Sequence, residues 1–581
     1  MVFIFFLILF ILTFTKTSSA CMTILVGKKA SLTEEILIGH NEDAPGRFTM
    51  QTHLVKKRRR HPGTKIKFES DLAELELSAS CTNLFWSEAK TYSNDDSDSA
   101  FCDFYVNEYG VVICSNNCTH SREDKPELLN GGIGYGLRRL TAESSHSAKE
   151  ALSIACELVE KYGYASSGRS YAFADKEEIY VMQIVHGKHY AIKRVPDDEV
   201  CVIPNHYTIH EPDINSRGYD ELLNYAVRRG WYKPDDGTFD FAKVYQSEDS
   251  YGIEKNTHRH VRALEILLEK DLSGLLNQKC ESIPFSIKPA HKVSIKTLKK
   301  ILRTHFEDTS SYSENSNPHF AKPLTVCNCD TLESTIAEIR HNPDRIILRR
   351  ALGRPCFSPY IIWYCGITEL PEGYEEMNAD SSLENHFHTM PSDMDYKNNA
   401  WFRAMELQAF CDILYREKGE YVRSKIAEIE SHEELKLKTL DSQIELRLRN
   451  DPDIARAMME AAVILSTEES EALMNEIKDK LGVITAEALN DVIQGDTFKV
   501  RFHTQDFRIT ECICGPSYEN QSEWSKCKVI KENGKYTELE FDSGSWIDNA
   551  VPCFTDLYMK MTDENGNTHA GTVRIQVQKF H

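Results

Sequence analysis

The first apolar run after residue 20 is short and strand-like. Residues 21–26 (Cys-Met-Thr-Ile-Leu-Val) lead through a turn region at 27–34 into Ile36-Leu37-Ile38-Gly39-His40, which predicts a hairpin. Residues 104–114 read as strand, turn at 107–110, strand. A strong amphipathic helix follows over 144–162, with Ala148, Ala151, Leu152, Ile154, Ala155 and Leu158 on one side. Strands are expected at 170–174, 178–184, 190–194 and 200–203, and helices at 259–270 and 293–306. Residues 331–340 read as a short helix, 400–448 as a long one, and 452–481 as a series of short helices. From about residue 497 the texture turns to alternating strands with turns such as Glu532-Asn533-Gly534 and Glu564-Asn565-Gly566-Asn567. The order strands, helix, strands predicts an α+β protein, a large antiparallel sheet system covered by helices. Residues 21–445 form its main domain, 446–494 a helical extension and 495–581 a small β-rich module. The chain has no internal repeat.

What precedes the hairpin changes the picture. Residues 2–14 (VFIFFLILFILTF) are an apolar core shorter than the roughly 20 residues of a spanning helix. Small residues at Ser18 and Ala20 fit signal-peptidase cleavage between Ala20 and Cys21, so 1–20 reads as a signal peptide. With no Lys or Arg before the core, an uncleaved anchor stays open. Once cut, the chain would begin with Cys21, a thiol and a free α-amine on one residue. An amine with a pKa of about 8 takes a thiol proton near neutral pH. Two other fates compete: an ordinary disulfide, and a lipoprotein cysteine, whose pattern wants an aliphatic residue where Ser18 stands.

Composition narrows the partners. The formal charge of −21 over 581 residues argues against nucleic acid, and Lys56-Lys57-Arg58-Arg59-Arg60 reads as a solvated loop. No other apolar run reaches transmembrane length, so no stable membrane association is expected after signal removal. Of 17 cysteines, 16 remain when Cys21 is set aside, an even number that suits a disulfide-bonded secreted protein. Cys327/Cys329 and Cys512/Cys514 are CxC pairs rather than CxxC, so no metal site and no cofactor is read. Sequons stand at Asn117-Cys118-Thr119 and Asn520-Gln521-Ser522, the second in a polar loop.

The opening CMTILVGKKASLTEEILIGHNED resembles the mature start of the dipeptidase-A family of cysteine dipeptidases, relatives of the secernins. That start is typically C-T-T-I-L-V-G-K-x-A, followed by a strand ending A-R-N-E-D. Further blocks are similar in the same order: Asn107-Glu108-Tyr109-Gly110-Val111, Tyr171-Ala172-Phe173-Ala174-Asp175, Ile203-Pro204-Asn205-His206, Thr304-His305-Phe306-Glu307-Asp308 and Ser358-Pro359-Tyr360. The resemblance covers about 21–445 and implies the N-terminal-nucleophile hydrolase fold, a four-layer αββα sandwich with the nucleophile opening a central strand.

It also implies roles. Cys21 would be the nucleophile and its α-amine the base, with Asp43 of the R-N-x-D motif holding that amine. Asn205 would stabilise the oxyanion, and Arg259, after Asn256-Thr257-His258, would support the amine or bind a substrate carboxylate. The chain departs from the pattern at His40, where the family carries arginine; a partly charged imidazole there would move the pH optimum. Asn117 stands where glutamate is usual and would be a second oxyanion donor, a role that excludes glycosylation. The expected activity is amide hydrolysis in a secreted or lysosomal setting, most simply of dipeptides, with a homo-oligomer left open. A non-peptide amide substrate and a non-catalytic binding protein are the alternatives.

Overall fold

Strand Met22–Val26 is buried along its whole length, and alternate side chains enter different cores. Met22, Ile24 and Val26 face a helix layer, while Leu25 enters the space between two sheets. The computed structural model describes residues 21–43, 49–68, 71–90, 104–118, 121–134, 136–248, 252–276, 283–307, 309, 317–374, 399–490, 492–493, 497–503, 507–515, 524–542 and 553–578. The expected leader and the sequon at Asn520 lie outside them.

Two seven-stranded antiparallel sheets form the main body. In the first, the strands run Ser286–Ile287, Val200–Ile203, Met22–Val26, Ile36–Asp43, Thr331–Ile339, Ile347–Leu352, Ile361–Tyr364. In the second, the order is Tyr190–Arg194, Ile179–Gly187, Tyr164–Ala174, Val112–Asn117, Phe104–Asn107, Leu84–Lys90, Thr49–Val55. Facing residues such as Leu25, Ile38, Phe104, Val106, Cys114 and Ala172 fill the middle. Tyr105, Ile113, Tyr171 and Phe173 on the far side of the second sheet pack with residues of helices Gly136–Ser144 and Ala148–Tyr162. Helices Glu254–Leu268 and Ile295–Arg303 cover the first sheet. The layers are therefore α, β, β, α, as expected.

Local chemistry sets the element ends. Asn107 Oδ1 accepts the amides of Tyr109 and Val111, and Gly110 takes φ 78°, which closes the hairpin turn read at 107–110. Ser147 caps its helix by accepting the Glu150 amide, and Ser294 does the same for Thr297.

Three expectations need correction. Residues 331–340 are not a helix: Thr331–Ile339 is a strand between Ile36–Asp43 and Ile347–Leu352. All nine of its residues are buried, so the two-residue alternation that marks a half-exposed strand is lost. Its carboxylates are internal partners: Glu333 Oε2 accepts from Arg350 Nη2 at 2.7 Å, and Glu338 Oε2 from Arg349 Nη1 at 3.0 Å. Residues 452–481 form one 30-residue helix, Pro452–Leu481, paired with Tyr415–Asn450 in a hairpin. The 445/446 boundary falls inside that second helix, and the β module begins at Ile484–Ala488. That module is an eight-stranded sheet whose first strand also pairs with Thr568–Gln578, giving it a barrel-like closure. Cys114, Cys118, Cys156, Cys201, Cys365 and Cys411 are thiols, an outcome the even cysteine count left open.

Candidate active site

Register brings the candidate residues to one end of the first sheet. Met22 pairs with Asn41, so Asp43 at the end of its strand runs on past Met22 to Cys21. Thr23 pairs with Ile203 on the other side, which carries the following Asn205 to the same place. Helix Glu254–Leu268 supplies Arg259 from the covering layer. Strand Val112–Asn117 of the second sheet ends opposite.

Cys21 is 2% exposed. Its Sγ lies 3.5 Å from Glu42 Oε2 and 3.5 Å from the Asp43 carbonyl oxygen. Arg259 is fully buried and donates from Nε to the Lys255 carbonyl at 3.1 Å, from Nη1 to the Cys21 carbonyl at 3.1 Å, and from Nη2 to Asn205 Oδ1 at 2.7 Å and Asn256 Oδ1 at 2.9 Å. Asn205 Nδ2 in turn donates to the Asn117 carbonyl at 2.7 Å. Asn117 thus joins the cluster through its main chain. Asn328 Nδ2 donates to Asp43 Oδ2 at 2.7 Å. Burial pushes Asp43 up to about 7, against the pull of the Arg259 guanidinium and the Thr331 and Asn328 hydrogen bonds.

His40 behaves differently from the partly charged imidazole expected of it. Burial pushes it down to about 3, so it is neutral, although Glu333 acts the other way. Its tautomer follows from its neighbours. Thr23 Oγ1 donates to Asn116 Oδ1 at 2.5 Å and therefore accepts at 2.8 Å from His40 Nδ1. That leaves His40 Nε2 as an acceptor, 3.2 Å from Glu42 Oε2. The proton between them belongs to Glu42: burial pushes its carboxyl up to about 8, against the guanidiniums of Arg138 and Arg169. A line of neutral hydrogen-bonding groups thus runs from the thiol through Glu42, His40 and Thr23 to Asn116.

Of the five residues singled out by sequence, Arg259 meets the Cys21 carbonyl and the Asn205 side chain, Asp43 meets Cys21 Sγ through its own carbonyl, and Asn117 lends a carbonyl to Asn205. Sequence reasoning missed Glu42, Asn328, Arg138 and Arg169. Glu42 lay in plain view between Asn41 and Asp43. The contact of Asn328 to Asp43 spans 285 residues and leaves no local signal.

Around Cys327, where the CxC spacing carries no metal reading, the fold gathers ligand-type side chains from elsewhere in the chain. His305, His319, Cys327 and Cys356 converge, all buried, with their ligand-type atoms within 4.8 Å of one another. This cluster is the neighbour of the Cys21 site, since Cys327 precedes Asn328 in the chain.

Comparison with known proteins bears on the chain as a whole. The profile of peptidase family C69 matches residues 20–402. A protein called "Probable dipeptidase" from Latilactobacillus sakei is 25% identical over 389 residues, 64% of this chain and 79% of its own length. "Dipeptidase A" of Lactobacillus helveticus is 25% identical over 384 residues, 61% of this chain and 77% of its own. Among solved structures, a mutant of the conjugated bile acid hydrolase from Clostridium perfringens aligns over 59% of this chain and 91% of its own, at 12% identity and a TM-score of 0.31. A superposition that loose supports no further argument.

Proposed function

The chain belongs to peptidase family C69, and on that premise we propose that it is a cysteine-type dipeptidase acting through Cys21 once the leader is removed. The observation that carries this reading is the meeting of Cys21, Asp43, Asn205 and Arg259 at the start of one buried strand. Dipeptidase-named relatives over most of their length favour small peptides as substrates.

In the uncut chain the Cys21 nitrogen is an amide joined to Ala20 and cannot serve as a base. Cleavage turns it into an amine. That amine takes the thiol proton, Sγ bonds to the scissile carbonyl carbon, and the carbonyl oxygen takes up the charge. Asn205, whose Oδ1 is held by Arg259, offers its side-chain amide as a neutral donor to that oxygen. Collapse breaks the C–N bond, and the amine proton passes to the leaving amine. Water then gives a proton to the free α-amine as its oxygen bonds to the thioester carbon, the C–S bond breaks, and that proton passes to sulfur. Asp43 holds the ammonium form; its raised carboxyl drops again beside a new positive charge.

A leader over residues 1–20 directs this chemistry to a secreted or lysosomal lumen. The experiment is a dipeptide panel run on the mature wild type and on Cys21→Ala. Dipeptide cleavage lost in the variant supports the proposal; equal cleavage by both, or wild-type turnover confined to non-peptide acyl amides, overturns it.

A further inference from the structure

The four residues His305, His319, Cys327 and Cys356 come from four separate places: the end of helix Ile295–Arg303, the short turn Pro318–Phe320, the loop before strand Thr331–Ile339, and the turn after strand Ile347–Leu352. Each is at most 2% exposed. His319 Nε2 lies 3.0 Å from His305 Nε2, 3.0 Å from Cys356 Sγ and 3.8 Å from Cys327 Sγ, and the two sulfurs are 3.6 Å apart. A tetrahedral zinc with bonds of about 2.0–2.1 Å to nitrogen and about 2.3 Å to sulfur sets ligand-to-ligand edges of about 3.3–3.8 Å. The observed separations fall in or next to that range.

The outer partners point the same way. His305 Nδ1 lies 2.9 Å from Glu307 Oε1, and His319 Nδ1 lies 2.6 Å from the buried Asp412 Oδ1. Asp412 is itself paired with Arg354 at 2.9 Å. Carboxylates accept, so both Nδ1 atoms carry hydrogens, and in the neutral rings both Nε2 atoms present lone pairs. Neutral imidazoles so oriented aim two lone pairs at one point, 3.0 Å apart; a cation between them satisfies both, and a proton shared by the rings or donated by the Cys356 thiol is the metal-free counterpart that the test below separates. Carboxylate partners behind ligating imidazoles are the usual outer support of a zinc ligand. A Cys327–Cys356 disulfide would join the sulfurs but leave the imidazoles opposed.

We propose that His305, His319, Cys327 and Cys356 bind one divalent transition-metal ion, zinc by the chemistry of its ligands, in a closed structural site. Two nitrogens and two sulfurs in a tetrahedral set suit zinc, and four protein ligands leave no position for water or substrate. The ion fixes the segment around Cys327, whose neighbour Asn328 holds Asp43. The site is independent of the dipeptidase reading, because metal content is measured without any substrate.

The test is elemental analysis of the full chain purified without chelator, together with X-ray absorption at the zinc edge. The expected result is about one zinc per chain, with two nitrogen and two sulfur neighbours at the distances above. Cys356→Ser and His319→Ala should each bring the content below about a tenth of an ion per chain. Should these variants misfold, cobalt exchanged into the wild type gives the same answer: thiolate-to-cobalt charge-transfer bands support the site. Folded wild-type protein that is free of metal, or one in which mass spectrometry finds a Cys327–Cys356 disulfide, overturns it.

Discussion

Two buried thiol centres sit back to back in this molecule, and their neighbours give them opposite chemistry. Around Cys21 the sulfur meets the oxygens of Glu42 and Asp43, with Arg259 anchoring the residue's carbonyl. Around Cys327 and Cys356 it meets imidazole nitrogen and a second sulfur. Oxygen partners and a guanidinium leave a sulfur able to attack carbon; soft and nitrogen donors converging on one point saturate a metal and exclude attack. Burial pushes the Cys327 thiol up to about 12, and coordination to a metal ion would deprotonate it. One residue joins the centres: Asn328, next to Cys327, donates to Asp43.

The comparison breaks most sharply at Cys21. Cys21→Ser and Cys21→Ala should lower kcat/KM for a dipeptide by at least about 10³-fold, in line with loss of a covalent nucleophile, while zinc content stays at the wild-type level. Steady-state kinetics and elemental analysis on the same preparation check both halves. Arg259→Met comes next. It strips partners from Asn205 Oδ1, Asn256 Oδ1 and the Cys21 carbonyl at once, and kcat should fall by about 10²–10³-fold, as for loss of an oxyanion donor.

Asn328→Leu sharpens the link between the centres. It removes the 2.7 Å hydrogen bond to Asp43 from a buried carboxylate, a loss of about 1–3 kcal/mol. Chemical denaturation should report that loss, with zinc retained and kcat reduced roughly tenfold, about 1.4 kcal/mol in the barrier.

The pH behaviour follows from Glu42. Its carboxyl is raised by burial from an unfolded value near 4.5 to about 8. For an acid raised on folding, the stabilising proton is fully held below the unfolded value and lost as pH climbs through the folded one. Thermal stability should therefore decline between about pH 4.5 and pH 8, and the new carboxylate beside Sγ should disfavour thiolate and cut activity on the alkaline side. Glu42→Gln keeps the neutral form at every pH, and its stability and rate profiles should be flatter through that window. An unchanged profile would remove Glu42 from the account. The smallest effect belongs to Asn117→Gln: only the main-chain carbonyl of Asn117 contacts Asn205, so kcat/KM should stay within about threefold, about 0.6 kcal/mol.

These outcomes also bear on what was legible beforehand. Cys21 was legible from the cleavage pattern before it, whereas Asp43 and Asn205 were legible only through the resemblance to the dipeptidase family. Strand Thr331–Ile339 was not legible, because Glu333, Thr335 and Glu338 are polar residues buried against arginines of the next strand. A pattern drawn for one wet face and one dry face misassigns a strand with none wet. In the sequence Glu42 is an acidic neighbour of Asp43 with no mark of its own; only its contacts with Cys21 and His40 distinguish it. The four residues of the second centre are spaced by 14 residues between the histidines and 29 between the cysteines, unlike the short ligand pairs of zinc ribbons. Their meeting is a product of the tertiary fold alone.

The most direct test of the central claim is intact-mass and peptide mapping of the mature protein after titration with iodoacetamide, read against residual dipeptidase activity. The account predicts a chain that begins at Cys21, takes up label first at that thiol, and loses activity in proportion to that label. A mature chain beginning elsewhere, or full activity with Cys21 completely alkylated, would contradict it.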